Sequence, residues 1–218
     1  VILACPPWEA ARLAAGTGLL EAATWSRSAE ALQHEAMATV YPPGGGTLAR
    51  GSGATAVGAG ANALGTESVA SGYGSVASGE YSIAQGSSSQ ALGDASIAIG
   101  VQSAASGTDS IGIGAGSQAG DFGTAVGTLS DATGYGASAL GDNARATNDF
   151  SLAMGANSTS SSIGGIAIGT DSYVGPNANH GIAIGNIVAA YGKNSIAMGG
   201  LWTTAGAHRS IPIGGTKA

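Results

Sequence analysis

The sequence has one cysteine, six prolines and few charged or aromatic side chains, and each shortage excludes a class of protein. Cys5 is the only cysteine, so no intramolecular disulfide can stabilise the fold, and packing or association must do so instead. Six prolines, and glycines that do not recur at every third position, exclude a collagen triple helix. Simple disorder is disfavoured because 44% of the residues are apolar. Glycine is abundant, at 39 of 218 residues, which suits tight, repeated turns around a core of small side chains.

The charge balance argues against two kinds of partner. Seven basic residues stand against thirteen acidic ones without any cluster of Lys or Arg, so the sequence lacks the positive surface that nucleic-acid binding requires. The longest apolar run, Val1 to Cys5, is far shorter than the ~20 residues of a membrane-spanning helix. We therefore expect no nucleic-acid partner and no membrane contact by this fragment.

Candidate catalytic and metal-binding residues do not converge in the sequence. The dipeptide His34-Glu35 begins like a zinc-protease motif but lacks the second histidine one helical turn later. His180 and His208 have no nearby Ser or Asp pattern that indicates a catalytic arrangement. Acidic residues that follow the repeat glycines, such as Asp94, do not form the dense ladder of calcium-binding rolls. We expect no catalytic residues, no metal site and no cofactor, and acidic side chains that lie in solvated turns.

The chain divides near residue 50. Residues 1–50 are predicted to form a short helical or irregular N-terminal segment, and residues 51–218 the main domain. Ser26 or Ser28 caps a helix predicted to run to about Ala38. The run Pro42 to Gly46 breaks any helix and predicts a turn into the repeats. Two interpretations of the segment stay open: it is a cap on the repeat domain, or it is sequence that does not belong to the natural protein.

From about Ala54 onward the sequence repeats the unit Ser-x-Ala-x-Gly. The closing glycines recur every seven residues, but the two positions flanking the alanine are large and apolar only in every second copy, so the true period is fourteen. A one-residue deletion follows Gly114, and short insertions are predicted near Asn177 and Ala207. In the copies between the apolar ones, the two positions hold Ala104 and Ser106, Asp131 and Thr133, Arg145 and Thr147, Thr159 and Ser161, or Thr203 and Ala205.

The repeat predicts an all-β fold. Each unit is a short strand and a turn, because strand side chains alternate between two faces and glycine permits positive φ. A fourteen-residue coil then holds two short strands, and coils stacked at ~4.8 Å form two parallel sheets back to back. The middle position of the unit is alanine in both kinds of copy, as at Ala98 and Ala105, so it should face the narrow interior. The predicted fold is a parallel β-roll solenoid of ~14-residue coils.

The positions flanking the alanine should then point outward, and on one sheet they are large and apolar. A monomer would leave this sheet in water, and an exposed apolar face of that size marks an interface or an aggregation hazard. Association around a symmetry axis is the simplest closed solution, so we expect an obligate homo-oligomer. The predicted interface consists of Ile97, Ile99, Ile111, Ile113, Leu152, Met154, Ile166, Ile168, Ile182, Ile184, Ile196 and Met198.

Two copies of the repeat, Ser96 to Gly100 and Asn194 to Gly199, resemble the head repeats of YadA-like trimeric autotransporter adhesins, over roughly residues 54–214. The resemblance implies a left-handed roll and a homotrimer joined along the apolar sheets. It also implies display on the surface of a Gram-negative cell, anchored to the outer membrane through a C-terminal region outside this sequence. The function it implies is attachment to host cells or to extracellular-matrix proteins such as collagen.

The family's collagen-associated pattern, Asn-Ser-Val-Ala-Ile-Gly, marks candidate binding residues in this chain. Because the same residues belong to the repeat scaffold, a structural role is the alternative interpretation. The matching residues are Asn194, Ser195, Ile196, Ala197, Met198 and Gly199.

Two other functions stay open at this point. Ice or surface binding by a flat β-solenoid would require a regular threonine array on the polar sheet, and Asp131, Arg145 and Tyr173 interrupt one. A trimeric viral tail fibre is also repetitive, and composition does not separate it from an adhesin. Six aromatic residues of the repeat region could serve as exposed contacts, but packing on the sheets is favoured, since aromatic residues suit strands. They are Tyr73, Tyr81, Tyr135, Tyr173, Tyr191 and Trp202.

Overall fold

The computed structural model describes the backbone of residues 37–39 and all of residues 46–214. This part of the chain winds into a parallel β-solenoid in which each coil contributes one strand to each of two sheets. The predicted all-β solenoid of fourteen-residue coils is therefore confirmed. The described residues include no helix that is long and apolar enough to cross a membrane.

The odd sheet has twelve parallel strands, each paired with the strand one coil earlier and one coil later. These strands are three or four residues long. They are β1 Met37–Thr39, β3 Thr55–Val57, β5 Val69–Ser71, β7 Ile83–Gln85, β9 Ile97–Ile99, β11 Ile111–Ile113, β13 Thr124–Val126, β15 Ser138–Leu140, β17 Leu152–Met154, β19 Ile166–Ile168, β21 Ile182–Gly185 and β23 Ile196–Gly199.

The even sheet also has twelve parallel strands, and each is two residues long. It lies on the opposite side of every coil. Its strands are β2 Leu48–Ala49, β4 Asn62–Ala63, β6 Val76–Ala77, β8 Gln90–Ala91, β10 Ala104–Ala105, β12 Gln118–Ala119, β14 Asp131–Ala132, β16 Arg145–Ala146, β18 Thr159–Ser160, β20 Tyr173–Val174, β22 Ala189–Ala190 and β24 Thr204–Ala205.

The register stacks each residue on its equivalent one coil later. Most coils contain fourteen residues, so that Ile97 pairs with Ile111. Ile111 pairs with Thr124, thirteen residues on, which confirms the predicted deletion. Ile166 pairs with Ile182, sixteen residues on, and the added residues lie in the turn 176–180, which confirms the insertion near Asn177.

The predicted position of the last insertion is wrong. Gly185 still pairs with Gly199, fourteen residues on, whereas Ala189 pairs with Thr204, fifteen residues on, so the extra residue lies in the turn 200–202 and not near Ala207. Thr203 and Ala205 were expected to point outward, but this one-residue shift turns both into the interior. The side-chain period of a strand is two residues, so a slip of one exchanges the faces.

The predicted end of the N-terminal helix is also wrong. Residues 37–39 form β1, which pairs with β3 instead of completing a helix that ends at about Ala38. The neighbouring sheet edge offers backbone hydrogen-bond partners that helical spacing alone does not reveal. The rest of the predicted helix, and the turn predicted at Pro42 to Gly46 apart from its last residue, lie outside the described residues. The boundary at residue 50 stays a prediction, although β1 and β2 precede it.

The interior of the solenoid holds almost only small side chains. Alanines in the middle position of the unit, such as Ala98, are fully buried, which confirms the inward direction predicted for them. Many units open with a serine that is buried as well, and its Oγ commonly donates to the carbonyl three residues earlier, as Ser103 does to Gly100 at 3.0 Å. Val174 and Val188 are the largest of the fully buried side chains.

The repeat glycines are required by the close stacking of the coils. Gly100 has a φ of +134°, and a Cβ at this position would lie 2.5 Å from the carbonyl oxygen of Gly114 in the next coil. Gly79, in the turn on the other side of the coil, has no positive φ, but a Cβ there would collide with the carbonyl of Gly93. Glycine is therefore needed in one turn for its backbone angle and in both turns for space.

We expect Ala139→Leu to lower the free energy of unfolding by about 1 to 3 kcal/mol, because extra methylene groups in a close-packed core force side chains out of their rotamers and shift the backbone. Ala139 is fully buried between Ala125 and Ala153 in the odd-sheet ladder. Thr147→Leu, at an exposed position beside the even sheet, is the matched control and should change the stability by less than ~0.5 kcal/mol. Urea unfolding followed by circular dichroism measures both, and equal midpoints would contradict the assignment of the interior.

Candidate binding surfaces

The solenoid presents four long surfaces. The odd face and the even face are the outward side chains of the two sheets. The first edge is formed by the turns that follow odd strands, and the second edge by the turns that follow even strands. The first-edge turns are 58–60, 72–74, 86–88, 100–102, 114–116, 127–129, 141–143, 155–157, 169–171, 185–187 and 199–202. The second-edge turns are 51–53, 65–67, 79–81, 93–95, 107–109, 120–122, 134–136, 148–150, 162–164, 176–180, 192–194 and 207–209.

The odd face is apolar over most of its length. Every residue predicted for the oligomer interface lies on it, each flanking a buried alanine or, in one coil, the buried Gly112. The side chains are half-buried by their neighbours in the ladder and remain open to solvent, as Ile113 and Met198 show with exposures of 37% and 38%. Thr124 and Ser138 interrupt the apolar ladder in its middle. The structure thus places the predicted interface residues together on one continuous face.

The even face is polar and has little free charge. Arg145 lies 3.6 Å from the carboxylate of Asp131 in the preceding coil, and Thr133 donates a hydrogen bond of 2.8 Å to the same carboxylate. Tyr173 and Tyr191, one coil apart, bring their ring centroids to 5.5 Å. No regular threonine array forms on this face, because glutamine, aspartate and arginine occupy three successive coils and a tyrosine follows one coil after Thr159.

The second edge carries most of the described acidic residues. Glu67, Glu80, Asp94, Asp109, Asp121 and Asp149 all lie in its turns and are exposed. Three of these carboxylates accept a hydrogen bond from a backbone N–H of the preceding coil: Asp94 from Glu80 at 3.0 Å, Asp121 from Thr108 at 3.0 Å and Asp149 from Tyr135 at 3.2 Å. The carboxylates thereby tie neighbouring turns together while their remaining oxygens face solvent.

The same edge holds a ladder of aromatic rings in three successive coils. The Phe122 and Tyr135 centroids are 5.2 Å apart and those of Tyr135 and Phe150 are 5.6 Å apart, both in edge-to-face geometry. The rings remain about half exposed or more, with 63% for Phe150. Phe122 and Phe150 also adopt positive φ, at 55° and 56°, a conformation that costs bulky residues about 1–2 kcal/mol. Exposed Ile163 continues the apolar stretch into the next coil.

The predicted packing of the aromatic residues on the sheets is wrong for most of them. Tyr73 and Trp202 lie in first-edge turns and are each 71% exposed. Tyr81 and Tyr135 lie in second-edge turns and are exposed, whereas Tyr173, on the even sheet, is partly covered. The reason is that the strands are just two to four residues long, so most of these aromatic side chains fall in turns, where no second layer covers them.

The candidate binding residues 194–199 are divided between three environments. Asn194 is exposed on the second edge with a φ of 55°. Ser195 and Ala197 are fully buried, so a bound protein could not touch them. Ile196 and Met198 point out on the odd face, where they also belong to the predicted oligomer interface. A side chain buried between subunits is not available to a matrix ligand, so the two predicted roles of these residues exclude each other.

Metal-ligating side chains do not cluster in the described residues. This part of the chain contains no group of three or more His, Cys, Asp or Glu side chains that could hold a metal ion. An open recess of about 620 Å³ at the C-terminal end of the second edge is lined by Lys193, Asn194, His208 and Arg209. This recess places the basic residues of that edge together, an arrangement the sequence analysis missed. The signal was present, because acidic and basic residues follow the same repeat position in different parts of the chain.

Comparison with known proteins gives a family match and a structural likeness. The family model of the YadA head domain repeat matches residues 49–75, 77–103, 105–130, 119–144, 132–158 and 146–172, which together take in more than half of the chain. Among solved structures, the chain is similar to the collagen-binding domain of the Yersinia adhesin YadA, at 27% sequence identity. That likeness covers 78% of this chain and 70% of the other, with a TM-score of 0.33. No curated protein matches the chain.

Proposed function

We propose, from the premise that this chain belongs to the YadA head domain repeat family, that it is the head of a bacterial surface adhesin. In this role it attaches the cell to host cells or to extracellular-matrix proteins such as collagen. The observation that carries the proposal is the repeat itself, which builds a long rod with one apolar face and three polar or mixed surfaces. Such a rod supplies a surface for binding and not an enzymatic site.

We propose that three copies of the chain form a homotrimer joined along their odd faces. An isoleucine that passes from half exposed to fully buried gains about 1 kcal/mol, roughly half of the ~1.5–3 kcal/mol for complete burial. The predicted interface offers twelve such side chains per chain, enough to offset an association cost of ~4–15 kcal/mol. The number three follows from the family resemblance, and the closed symmetry follows from the need to cover the same face on every copy.

A trimer joined along its odd faces leaves the other surfaces of each chain for the ligand. Packing of the odd faces covers Ile196 and Met198, which leaves the even face and the turns exposed. Of residues 194–199, Asn194 keeps an accessible side chain, since it lies on the second edge. Small and mostly uncharged side chains give each coil few strong contacts. We therefore propose that matrix binding is distributed over many coils and gains strength from avidity.

The proposed location is the surface of a Gram-negative cell, because the family resemblance implies an anchor in the outer membrane. Of the alternatives, ice binding is not favoured, since the even face lacks a regular threonine array. The match to the head-repeat family favours an adhesin over a viral fibre.

We expect Ile168→Asp to destabilise the trimer strongly, because three unpaired carboxylates would be buried near its axis. Ile168 points outward on the odd face, whereas Thr159 points outward on the even face. Thr159→Asp is therefore the matched control and should leave mass and melting temperature nearly unchanged. Multi-angle light scattering and thermal melting measure both variants. A parent protein that is a well-folded monomer, or two variants that melt alike, would contradict the proposed interface.

Deletion of residues 151–164, one complete coil, should keep the trimer and reduce collagen binding only partly. The deletion joins equivalent positions, because Leu152 pairs with Ile166 in the register. Surface plasmon resonance on immobilised collagen compares the deletion with the parent. Asn194→Gly is the companion variant, since glycine keeps the left-handed backbone of that turn while removing the side chain. Complete loss of binding in either variant, with the trimer intact, would indicate one discrete site instead, and no binding by the parent would exclude collagen.

A further inference from the structure

Two of the four lysine and arginine residues in the described part of the chain share one recess. Lys193 and Arg209 lie in the last two turns of the second edge, and both line the recess there. Of the other two, Arg50 is exposed at the N-terminal end of the described solenoid, and Arg145 is paired with Asp131 on the even face. In the described residues, basic side chains of neighbouring coils therefore come together at this recess.

The register of the last two coils surrounds the recess with four polar side chains. Lys193 and His208 hold the middle position of their turns, and Asn194 and Arg209 hold the last position. The Arg209 backbone N–H donates to the Lys193 carbonyl at 3.0 Å, which fixes the two turns relative to each other. All four side chains are exposed, and their ammonium, imidazole, amide and guanidinium groups can each donate N–H hydrogen bonds. The recess is thus lined by donors from two adjacent coils.

Within the described residues, no carboxylate neutralises the two cations of the recess. The acidic residues of the second edge end at Asp149, and two whole turns separate its turn from that of Lys193. Asp171 lies in a first-edge turn, on the other side of its coil. The ion pair that forms in this part of the chain joins Arg145 to Asp131 and involves neither Lys193 nor Arg209. Both charges are therefore available to an anion from outside.

The donors and the size of the recess fit a tetrahedral oxyanion ester carried on a sugar. Arginine binds such an oxyanion through two parallel N–H groups, and lysine supplies a compact second charge. Donors on several sides of the recess can reach more oxygens than a carboxylate offers, and a sulfate ester offers one more. The volume of about 620 Å³ lies within the range of ~300–1,000 Å³ for small-molecule sites, so the sugar that carries the ester fits as well.

We propose that this recess binds a sulfate ester of an acidic polysaccharide. The inference rests on the proposed function, because a head that attaches to host surfaces meets sulfated polysaccharides there, and it names a ligand class for one end of the second edge. A long polyanion lying along that edge would be repelled, since carboxylates recur in its turns from 65–67 to 148–150. One charged unit of the polysaccharide therefore enters the recess while the rest of its chain crosses the edge.

The test is the binding of a fluorescein-labelled heparin tetrasaccharide to the whole chain, followed by fluorescence anisotropy at low and at physiological ionic strength. The parent should bind, and added salt should weaken the binding because exposed charges are screened. A desulfated tetrasaccharide of the same length keeps its carboxylates and should bind at least about tenfold more weakly. Inorganic sulfate and inorganic phosphate should compete poorly, because neither carries a sugar that fills the recess.

Variants of the two cations locate the binding. Lys193→Gln and Arg209→Gln each remove one charge from the recess and should weaken tetrasaccharide binding at least about fivefold. Arg209→Lys keeps the charge but loses the paired N–H donors, so it should restore binding only in part. Arg50→Gln removes the same charge from an exposed position far from the recess, and as the matched control it should bind like the parent. All of the changed side chains are exposed, so thermal melting should show every variant folded.

A parent that does not bind, a desulfated tetrasaccharide that binds equally well, or recess variants that bind like the parent would each overturn the inference. Equal losses in Arg50→Gln and Arg209→Gln, or equal competition by inorganic sulfate, would do the same. The assay contains no host protein, so the two proposals fail separately. A parent that binds collagen but not the tetrasaccharide contradicts the recess alone. A parent that binds the tetrasaccharide at the recess but attaches to neither collagen nor host cells contradicts the adhesin proposal alone.

Discussion

The stacking of short coils at strand spacing is the constraint on which the rest of the structure depends. Consecutive coils approach so closely that a Cβ at the repeat glycines would collide with the carbonyl of the next coil. Two sheets of strands two to four residues long lie back to back and leave an interior wide enough for alanine and serine, and Val174 and Val188 are the largest fully buried side chains among the described residues. A buried alanine methyl contributes only about 0.8 kcal/mol, so the fold gains its stability from many small, equivalent contacts and from continuous backbone ladders.

A core this thin determines where the large side chains lie. Isoleucine, leucine and methionine cannot enter the interior, so they form a ladder on the odd face that a single chain leaves half open. In the proposed trimer, association would complete the burial that a globular domain achieves within one chain. The same reason leaves most of the described tyrosine, phenylalanine and tryptophan side chains in the turns, where they are exposed instead of forming a core. The proposed oligomerisation and ligand binding would both use outward side chains that the interior of the solenoid has no room for.

The turns are therefore the variable part of an otherwise uniform scaffold. The last residue of each turn takes a left-handed backbone in nearly every coil, and residues as different as Asn157, Phe150 and Ile187 occupy this position. Carboxylates in neighbouring turns accept backbone N–H groups from the coil before, which allows acidic residues to accumulate along one edge without losing their structural role. Binding properties can thus change turn by turn while the ladders stay the same.

The sequence by itself determined the period, the inward alanines and the outward apolar pairs, because a repeat with a side-chain period of two leaves one consistent assignment of faces. It also located the deletion after Gly114 and the insertion near Asn177. It failed at Thr203 and Ala205, where a one-residue shift exchanged the faces, and at β1, whose strand depends on pairing with a distant segment. Only the tertiary structure decided that Glu80, Asp94, Phe150, Lys193 and Arg209 share one edge and that Ser195 and Ala197 are inaccessible. These positions depend on which sheet precedes each turn and on the small insertions that shift the register between coils. Periodicity alone does not locate every insertion.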